Sequence, residues 1–327
     1  MLISIIGAGA WGTTLSILLT EAGHSVVLWV FEKELAKEMQ EIRENKVFLP
    51  GFPLQESIVI TSELKDIAGA DICLFVVPTQ FLSNIAKQAK NCISKEAVVI
   101  SAAKGIEEQS LTLPLDILAD ELKINRLAVL SGPNLSQEIA RGLPAAAVAA
   151  AKDAEVAKTV QNILMLNRFR VYTSNDPLGV QLGGALKNII AIAAGAADGL
   201  GLGDNAKSAL LIRGIAEITR LGVAMGATAE TFSGLSGMGD LITTCSSKLS
   251  RNHTVGEQIV KGKKLADILS STQEIAEGVP TARAALKLAE KYQVDLPITK
   301  EVYNILYENK NPQQAIIDLM TRSAKKE

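Results

Sequence analysis

A glycine motif directly after the first apolar run constrains this chain more than any other feature. Residues 2–6 are apolar and partly β-branched, which predicts a buried strand, and residues 13–19 are predicted to be helical. Gly7-x-Gly9-x-x-Gly12 lies between them, in the context of a dinucleotide-binding fingerprint. The first glycine permits a tight turn, the second lets the backbone approach a pyrophosphate, and the third lets the helix pack closely on the strand. The motif predicts a dinucleotide site; the alternative is a plain turn between buried elements.

The second predicted strand, residues 25–30, supports the dinucleotide interpretation. It is followed by Phe31 and Glu32, and Glu32 stands about where the fingerprint places an acidic residue. A carboxylate at this point hydrogen-bonds the ribose 2′-hydroxyl and repels a 2′-phosphate. The sequence therefore predicts a preference for NADH over NADPH, which the neighbouring Lys33 weakens.

The rest of the first half alternates strands with helices, and the second half is helical. Further strands are predicted at 58–60, 71–77, 97–101, 127–131, 145–150 and 168–173, with a polar helix at 33–45. Later helices are predicted at 178–197, 205–225, 254–261, 265–270, 281–292, 298–307 and 312–321. We therefore expect an α/β, Rossmann-type, mostly parallel sheet domain at 1–176, followed by an all-helical domain at 177–327.

Composition excludes several classes of function. The net charge is −2, with scattered lysines and arginines and 4% aromatic residues, which argues against nucleic-acid binding. Three separated cysteines and two histidines give no pattern for a disulfide framework or a metal site. We expect a cytoplasmic protein without a signal peptide or membrane insertion, and we interpret the apolar stretch 177–197 as a buried core helix.

Lys187 is the most informative single residue. It is the only charged residue between Asp176 and Asp198, on a predicted helix that is otherwise apolar or small. Such a lysine pays for desolvation unless it faces a polar cleft, and desolvation would lower its pKa toward values useful for acid–base chemistry. The alternative is a structural lysine that is salt-bridged or reaches toward solvent.

Three other segments are candidates for ligand contacts. The glycine-rich segment 234–240 contains one aspartate and is predicted to be a loop shaped around a ligand. Ser250-Arg251-Asn252 offers a hydroxyl, a guanidinium and an amide, a set suited to phosphate. Lys104 lies at the end of a predicted parallel strand, where ligands bind in such sheets, although a surface lysine would fit there as well. The role of Glu277 before a helix is left open between a turn and a cofactor contact.

Taken together, these segments resemble the bacterial NAD(P)-dependent glycerol-3-phosphate dehydrogenases over nearly the whole chain. The resemblance rests on the glycine motif with Trp11, on Lys104-Gly105, Ser131-Gly132-Pro133 and Ala185-Leu186-Lys187-Asn188, and on segments 234–240, 250–252 and 277–278. It implies a Rossmann domain followed by a helical domain similar to that of 6-phosphogluconate dehydrogenase, with the active site in a cleft between them. It also implies NAD(P)H as cofactor, dihydroxyacetone phosphate and glycerol 3-phosphate as ligands, a homodimer, and a role in phospholipid synthesis.

Site residues follow from the resemblance position by position. Lys187 matches the family's proton donor and acceptor. The glycerol-phosphate contacts correspond to Lys104, Gly132, Asn134, Asp240, Ser250, Arg251 and Asn252. The cofactor contacts correspond to Gly7, Gly9, Ala10, Trp11, Gly12, Phe31, Glu32, Lys104, Ser136, Arg251, Ile275 and Glu277. The chain departs from the family at Asn134, where Ser or Thr is usual, and at Ser136, where Ala is common.

Two other functions compete with this interpretation. A β-hydroxyacid dehydrogenase acting on a small carboxylate would share the Rossmann start and a helix-borne lysine, but the 250–252 triplet favours phosphate. A nicotinamide-binding redox sensor would bind cofactor without needing Lys187.

Overall fold

The computed structural model describes residues 1–273 and 275–323, which form two compact units. The first unit contains Met1–Lys104 and Thr112–Gln181. The second contains Gly105–Leu111 and Leu182–Glu327.

Ten strands and fifteen α-helices lie within the described residues. The strands are β1 (Leu2–Ile6), β2 (Ser25–Trp29), β3 (Glu44–Asn45), β4 (Leu49–Pro53), β5 (Val59–Thr61), β6 (Ile72–Phe75), β7 (Val98–Ser101), β8 (Leu127–Ser131), β9 (Ala145–Ala150) and β10 (Phe169–Ser174). The first eight helices are α1 (Ala10–Glu21), α2 (Lys33–Ile42), α3 (Thr79–Ala89), α4 (Pro114–Leu122), α5 (Ser136–Ala140), α6 (Ala154–Leu164), α7 (Pro177–Gly199) and α8 (Gly203–Ala224). The others are α9 (Ala229–Ser233), α10 (Asp240–Ser246), α11 (Arg251–Val260), α12 (Leu265–Ser270), α13 (Gly278–Lys291), α14 (Pro297–Tyr307) and α15 (Pro312–Met320).

The first unit is built on an eight-stranded sheet in the order β10-β9-β8-β7-β6-β1-β2-β5. All neighbouring pairs are parallel except β8 and β9, which are antiparallel. This confirms the predicted mostly parallel, Rossmann-type sheet. The carboxyl ends of β1, β6, β7 and β8 therefore lie along one edge of the sheet, where such folds bind ligands.

Both faces of the sheet are buried, which explains the continuous apolar runs in the sequence. Successive residues of a strand point to opposite faces, so Ile3 and Ile5 join one core cluster while Ile6 joins the other. Leu74 and Phe75 separate in the same way. Helices cover each face, as parallel sheets require.

The helix predicted at 33–45 is too long. It ends at Ile42 because Arg43 adopts a left-handed conformation with φ 53°, and its guanidinium donates to the carbonyl of Ile58 at 2.9 Å. Glu44–Asn45 then pairs with β4 in a short antiparallel hairpin that periodicity did not predict. Tertiary hydrogen bonds thus override the local helical pattern.

The second unit is helical, as predicted, and α7 is its most buried element. By length and composition α7 could span a membrane, but 94% of its most apolar window is buried inside the protein. It is therefore the core helix that the sequence predicted.

The glycine-rich segment 234–240 is a helical turn, so its assignment as a loop was wrong. Leu235–Gly239 forms a π-helical turn that runs directly into α10. A β-carbon at Gly237 would lie only 2.2 Å from the carbonyl oxygen of Phe232, so the glycine serves close backbone packing at this point.

Candidate active site

The glycine turn of the first unit joins β1 to α1 and leaves space for a ligand. Gly7 has φ +113°, and its N–H donates to the carbonyl of Trp29 at 3.0 Å. A β-carbon at Gly12 would lie 1.9 Å from the Gly7 oxygen, whereas one at Gly9 would have nothing within 4 Å. The first N–H groups of α1, beginning at Ala10 and Trp11, have no partners inside the helix, and they follow this open position. The turn therefore fits a pyrophosphate at a helix N-terminus.

Asn45 stabilises this turn through side-chain hydrogen bonds, and it was not identified from the sequence. Its side chain is fully buried; Nδ2 donates to the Ala8 carbonyl at 2.7 Å and to Thr13 Oγ1 at 2.8 Å. Oδ1 accepts from the Phe48 N–H at 3.0 Å. By binding the Ala8 carbonyl, Asn45 fixes the peptide that precedes Gly9.

Lys104 and Gly132 lie together at the ends of neighbouring strands β7 and β8. Lys104 Nζ donates to the Gly132 carbonyl at 2.8 Å. The side-chain amide of Asn134 donates to the backbone carbonyl of Ala146 at 3.1 Å. Asn134, which stands where the family usually has Ser or Thr, is therefore partly engaged by the backbone. Ser136 begins α5, and its carbonyl accepts from Thr14 Oγ1 of α1 at 3.3 Å. The structure thus gathers Lys104 and Gly132, and it links Ser136 to the fingerprint helix.

Phe31 and Glu32 follow β2 at the surface. The Phe31 ring is 64% exposed and packs edge-on against Trp29, with 6.0 Å between ring centroids. Glu32 is exposed and precedes α2. The neighbouring Lys33 ammonium lies 4.0 Å from the Glu63 carboxylate. Both side chains at the end of β2 are therefore accessible to a ligand.

In the second unit, Lys187 forms a buried cluster with two residues of α10. Its Nζ lies 2.8 Å from Asp240 Oδ1 and donates to Thr244 Oγ1 at 2.5 Å. The Thr244 hydroxyl in turn lies 3.3 Å from Asp240 Oδ1. Lys187 is 6% exposed and Asp240 is 1% exposed. The negative charge of Asp240 offsets the cost of burying the ammonium, and together the two groups fix the direction of Nζ.

Close backbone packing sets the position of this cluster. A β-carbon at Gly183 of α7 would lie 2.7 Å from the Ser236 carbonyl oxygen in the π-helical turn. Since Asp240 follows that turn directly, the approach of the turn to α7 brings the carboxylate to Lys187.

The triplet Ser250-Arg251-Asn252 forms the start of α11, three residues earlier than predicted. The Ser250 hydroxyl caps the helix by accepting from the His253 N–H at 3.3 Å. Arg251 is exposed, and its Nη1 donates to the Ile275 carbonyl at 3.3 Å. An arginine beside a capped helix N-terminus is suited to bind an anion.

Asn252 connects three helices instead of pointing into solvent. Its Nδ2 donates to Asn188 Oδ1 on α7 at 2.9 Å, and its Oδ1 accepts from the Gly278 N–H at the start of α13 at 2.9 Å. Glu277 directly precedes that helix and is half-buried. Asn252 thus ties the residue next to Lys187 to the segment that contains Glu277.

Cys245 next to Thr244 does not act as a nucleophile. The side chain is completely buried, and this burial raises the pKa of its thiol to about 12. The thiol therefore stays protonated near neutral pH, where a nucleophilic cysteine needs its thiolate form.

Thr244 and Asn188 complete the site, and neither was predicted to take part in it. Thr244 lies four residues after Asp240, the spacing that places side chains together on one helix face. That signal was hidden because the glycine-rich segment was interpreted as a loop. Asn188 was recognised only as a part of the motif that contains Lys187.

The chain matches two family models and many relatives along its length. Residues 2–157 match the model described as NAD-dependent glycerol-3-phosphate dehydrogenase N-terminus, and residues 176–317 match the corresponding C-terminus. A relative from Syntrophotalea carbinolica, named glycerol-3-phosphate dehydrogenase [NAD(P)+], is 47% identical over 100% of this chain and 99% of its own. One from Fusobacterium nucleatum with the same name is 44% identical over 99% and 98%. The crystal structure of glycerol-3-phosphate dehydrogenase from Coxiella burnetii has a TM-score of 0.94 and 36% identity, and the match covers 98% of this chain and 99% of that one.

Proposed function

Because this chain belongs to the NAD-dependent glycerol-3-phosphate dehydrogenase family, we propose that it reduces dihydroxyacetone phosphate reversibly to sn-glycerol 3-phosphate with NAD(P)H. The observation that carries the proposal is the buried Lys187–Asp240 pair, with Nζ and Oδ1 2.8 Å apart. Of the two structural alternatives, a lysine that reaches toward solvent is not what is seen, because Asp240 and Thr244 hold this ammonium in a fixed direction inside the protein. The other alternative, a lysine that is only salt-bridged, is tested by the variants below.

The first unit would hold the cofactor through its backbone. The N–H groups after Gly9 would bind the pyrophosphate, with Ala10, Trp11 and Gly12 forming the wall of the turn. Phe31, Glu32 and Ser136 would contact the remainder of the dinucleotide, and from the second unit Arg251, Ile275 and Glu277 would do so. When bound, the reduced nicotinamide supplies the hydride that converts carbonyl carbon C2 to an alcohol carbon.

Lys187 would complete the reduction by moving one proton. Its ammonium donates that proton to the oxygen on C2 as negative charge develops there, and the amine then regains a proton from solvent. Asp240 and Thr244 orient Nζ for this step. In the oxidative direction the neutral amine accepts the proton from the alcohol.

Phosphate recognition would rest on Arg251, Ser250, Lys104 and the strand ends at Gly132 and Asn134. A guanidinium at a helix N-terminus binds a dianion more strongly than a single carboxylate. Asn252 would act by fixing this helix to α7, since both ends of its amide have protein partners. These proposed contacts, which follow the family resemblance, favour a phosphorylated ketone over the small hydroxyacid of the competing interpretation.

The decisive experiment measures NADH and NADPH oxidation with dihydroxyacetone phosphate and, in parallel, with a small 2-keto or 3-keto acid. We expect turnover of the phosphate ester only. The Lys187→Met variant should lose about 10²–10⁴-fold in kcat while its NADH affinity, measured by fluorescence titration, stays within about twofold. Lys261→Met, which removes an exposed lysine at the end of α11, is the control.

A second variant separates chemistry from folding. Lys187→Met leaves a buried carboxylate, so Lys187→Met combined with Asp240→Asn removes both charges and should fold while remaining inactive. A wild-type enzyme that oxidises NADH only with the keto acid would overturn the substrate assignment. Retention of normal kcat in either variant would overturn the role of Lys187.

We also propose that the chain forms a cytoplasmic homodimer, divides functionally at residues 176/177, and supplies glycerol 3-phosphate for phospholipid synthesis. The family resemblance supports these statements. Two exposed apolar side chains on one face of α8 add support for the dimer, since Ile212 and Val223 are 52% and 47% exposed. Light scattering should give twice the chain mass, and Ile212→Glu with Val223→Glu should give the monomer mass.

A further inference from the structure

Helices α7 and α11 cross so closely that their backbones touch. A β-carbon at Gly256 of α11 would lie 2.0 Å from the Ile192 carbonyl oxygen of α7. A β-carbon at Gly195 of α7 would lie 1.9 Å from the His253 carbonyl oxygen. Small residues permit this approach, but by themselves they hold neither helix against sliding along the other.

Two side-chain hydrogen bonds fix the crossing, and they come from adjacent residues of α11. Asn252 bonds to Asn188, while His253 Nε2 lies 2.7 Å from Asp198 Oδ2. The two partners on α7 are about 15 Å apart along the helix axis at 1.5 Å per residue. The first turn of α11 is therefore anchored at two points on α7, one on each side of the crossing, and α7 is the helix that contains Lys187.

The His253–Asp198 contact is supported by a third helix. Asp198 Oδ2 also accepts from Lys207 Nζ of α8 at 2.6 Å. Burial alone would raise the pKa of Asp198, but the hydrogen bonds from Lys207 and His253 hold it below its ordinary value. The His253 side chain is 6% exposed and the Asp198 side chain is 33% exposed, so the hydrogen bond joins a buried imidazole to a partly solvated carboxylate.

His253 also shapes the turn from which Arg251 extends. Its backbone N–H donates to the capping hydroxyl of Ser250. Arg251 lies between these two residues and is exposed, so the direction of its guanidinium depends on where this turn is held. A displacement of about 1 Å at such a position is enough to weaken the contacts that the guanidinium makes with a bound phosphate.

We propose that the hydrogen bond between His253 and Asp198 positions Arg251 for binding the substrate phosphate. The inference rests on the proposed function, because it assumes that Arg251 binds that phosphate. His253 is thus a positioning residue and does not itself touch the substrate. Removing the His253–Asp198 hydrogen bond lets the first turn of α11 shift. Arg251 then binds the substrate phosphate more weakly, whereas proton transfer at Lys187 is unaffected.

The test compares His253→Leu, which keeps side-chain bulk without a donor, with His253→Gln, whose amide N–H replaces Nε2–H. We expect His253→Leu to raise KM for dihydroxyacetone phosphate about tenfold, within the range that one hydrogen bond to a charged group contributes, with kcat nearly unchanged at saturating NADH. NADH affinity should fall much less than KM rises, because Arg251 is one of many proposed cofactor contacts. His253→Gln should restore KM to within about twofold of wild type. His24→Leu, in the first unit, is the matched control.

A substrate without phosphate makes the test specific. Reduction of dihydroxyacetone, measured at saturating NADH and high ketone concentration, should proceed at the same rate in His253→Leu and wild type, because that ketone has no phosphate for Arg251 to bind. If His253→Leu does not fold, Lys207→Met should show the same change in KM to a smaller degree, since it loosens Asp198 from the other side.

Equal losses with both ketones, or an equal defect in His253→Gln and His253→Leu, would overturn the positioning role. An unchanged KM in a folded His253→Leu would do the same. Failure of the proposed function gives a different result, since wild-type protein would then not reduce dihydroxyacetone phosphate.

Discussion

The glycine turn of the first unit and the Lys187 cluster of the second are built from different parts of the chain. The turn offers backbone N–H groups from one short segment, and its shape depends on glycines at the positions where a β-carbon would block the ligand or the helix. The cluster uses three side chains, of which Lys187 and Thr244 are 57 residues apart. A site made of backbone groups is therefore determined by a local sequence motif, whereas a site made of side chains depends on how helices pack. The two should also fail differently when mutated.

The largest expected effect is on the side-chain site. Asp240→Ala leaves the Lys187 ammonium buried and uncompensated, which should lower the free energy of unfolding by about 3–5 kcal/mol. Urea denaturation measures this, and Asp267→Ala, at an exposed position of α12, should change it by less than about 0.5 kcal/mol. A loss below about 1 kcal/mol for Asp240→Ala would mean that the pair contributes little, as surface ion pairs do.

In the glycine turn, substitutions at two neighbouring glycines should affect different properties, one the stability of the fold and the other the binding of cofactor. Gly12→Ala places a β-carbon 1.9 Å from the Gly7 carbonyl oxygen, and it should cost about 3 kcal/mol or more because backbone must move. Gly9→Ala meets no atom within 4 Å and should change stability by less than about 0.5 kcal/mol.

The same pair tests cofactor binding. Gly9→Ala should weaken NADH binding about tenfold or more in a fluorescence titration, because its methyl group occupies the space through which the pyrophosphate approaches. Normal NADH affinity in a folded Gly9→Ala protein would show that the pyrophosphate does not approach the backbone there.

A second buried carboxylate in the helical unit sharpens the contrast with Asp240. Glu217 of α8 is 2% exposed and accepts from the N–H groups of Ile298 at 2.7 Å and Thr299 at 3.2 Å. The partners of Glu217 are thus neutral N–H groups at the start of α14, whereas the partner of Asp240 is the charged ammonium of Lys187. Burial raises the pKa of Glu217 from 4.5 to about 7 in spite of these hydrogen bonds.

This raised pKa predicts a pH-dependent stability. Glu217 holds its proton more tightly in the folded chain, so its contribution to stability is complete below pH 4.5 and is lost as the pH rises through about 7. The loss should approach about 3 kcal/mol in urea unfolding curves. Glu217→Gln should remove this part of the pH dependence, and Glu230→Gln, at an exposed position of α9, should preserve it.

The main sheet and the glycine turn of the first unit could be predicted from the sequence because that information is local, whereas the end of α2 and the β3–β4 hairpin could not. Strand alternation gave the sheet, and the glycine spacing gave the position of the turn. What could not be predicted is the support that comes from elsewhere, such as Asn45 binding the Ala8 carbonyl from the β3–β4 hairpin. Its signal is a single asparagine in a polar stretch, which local patterns assign to a helix.

The long helices of the second unit were predicted close to their observed bounds, but the side-chain cluster at Lys187 was predicted less well, for the same physical reason. Lys187 could be identified because a charge on an apolar helix is expensive to bury. Its partner Thr244 and the link through Asn188 and Asn252 could not, since they follow from glycine contacts between distant helices. The glycines in segment 234–240 were interpreted as a loop shaped around a ligand, but they allow backbone contact that only the packed structure reveals.

The smallest expected effect concerns the choice of coenzyme, where a side chain modifies a backbone site. We expect wild-type enzyme to favour NADH over NADPH in kcat/KM by about tenfold, since the Glu32 carboxylate repels a 2′-phosphate. Lys33 should reduce this preference little, because its 4.0 Å pair with Glu63 joins side chains that are 77% and 55% exposed. Glu32→Gln keeps the size and hydrogen bonding of the side chain and should bring the two coenzymes to within about threefold, whereas Lys33→Met should leave the ratio near its wild-type value. A wild-type preference for NADPH would reverse the interpretation of Glu32 while leaving the glycine turn intact, because the turn binds the pyrophosphate that both coenzymes share.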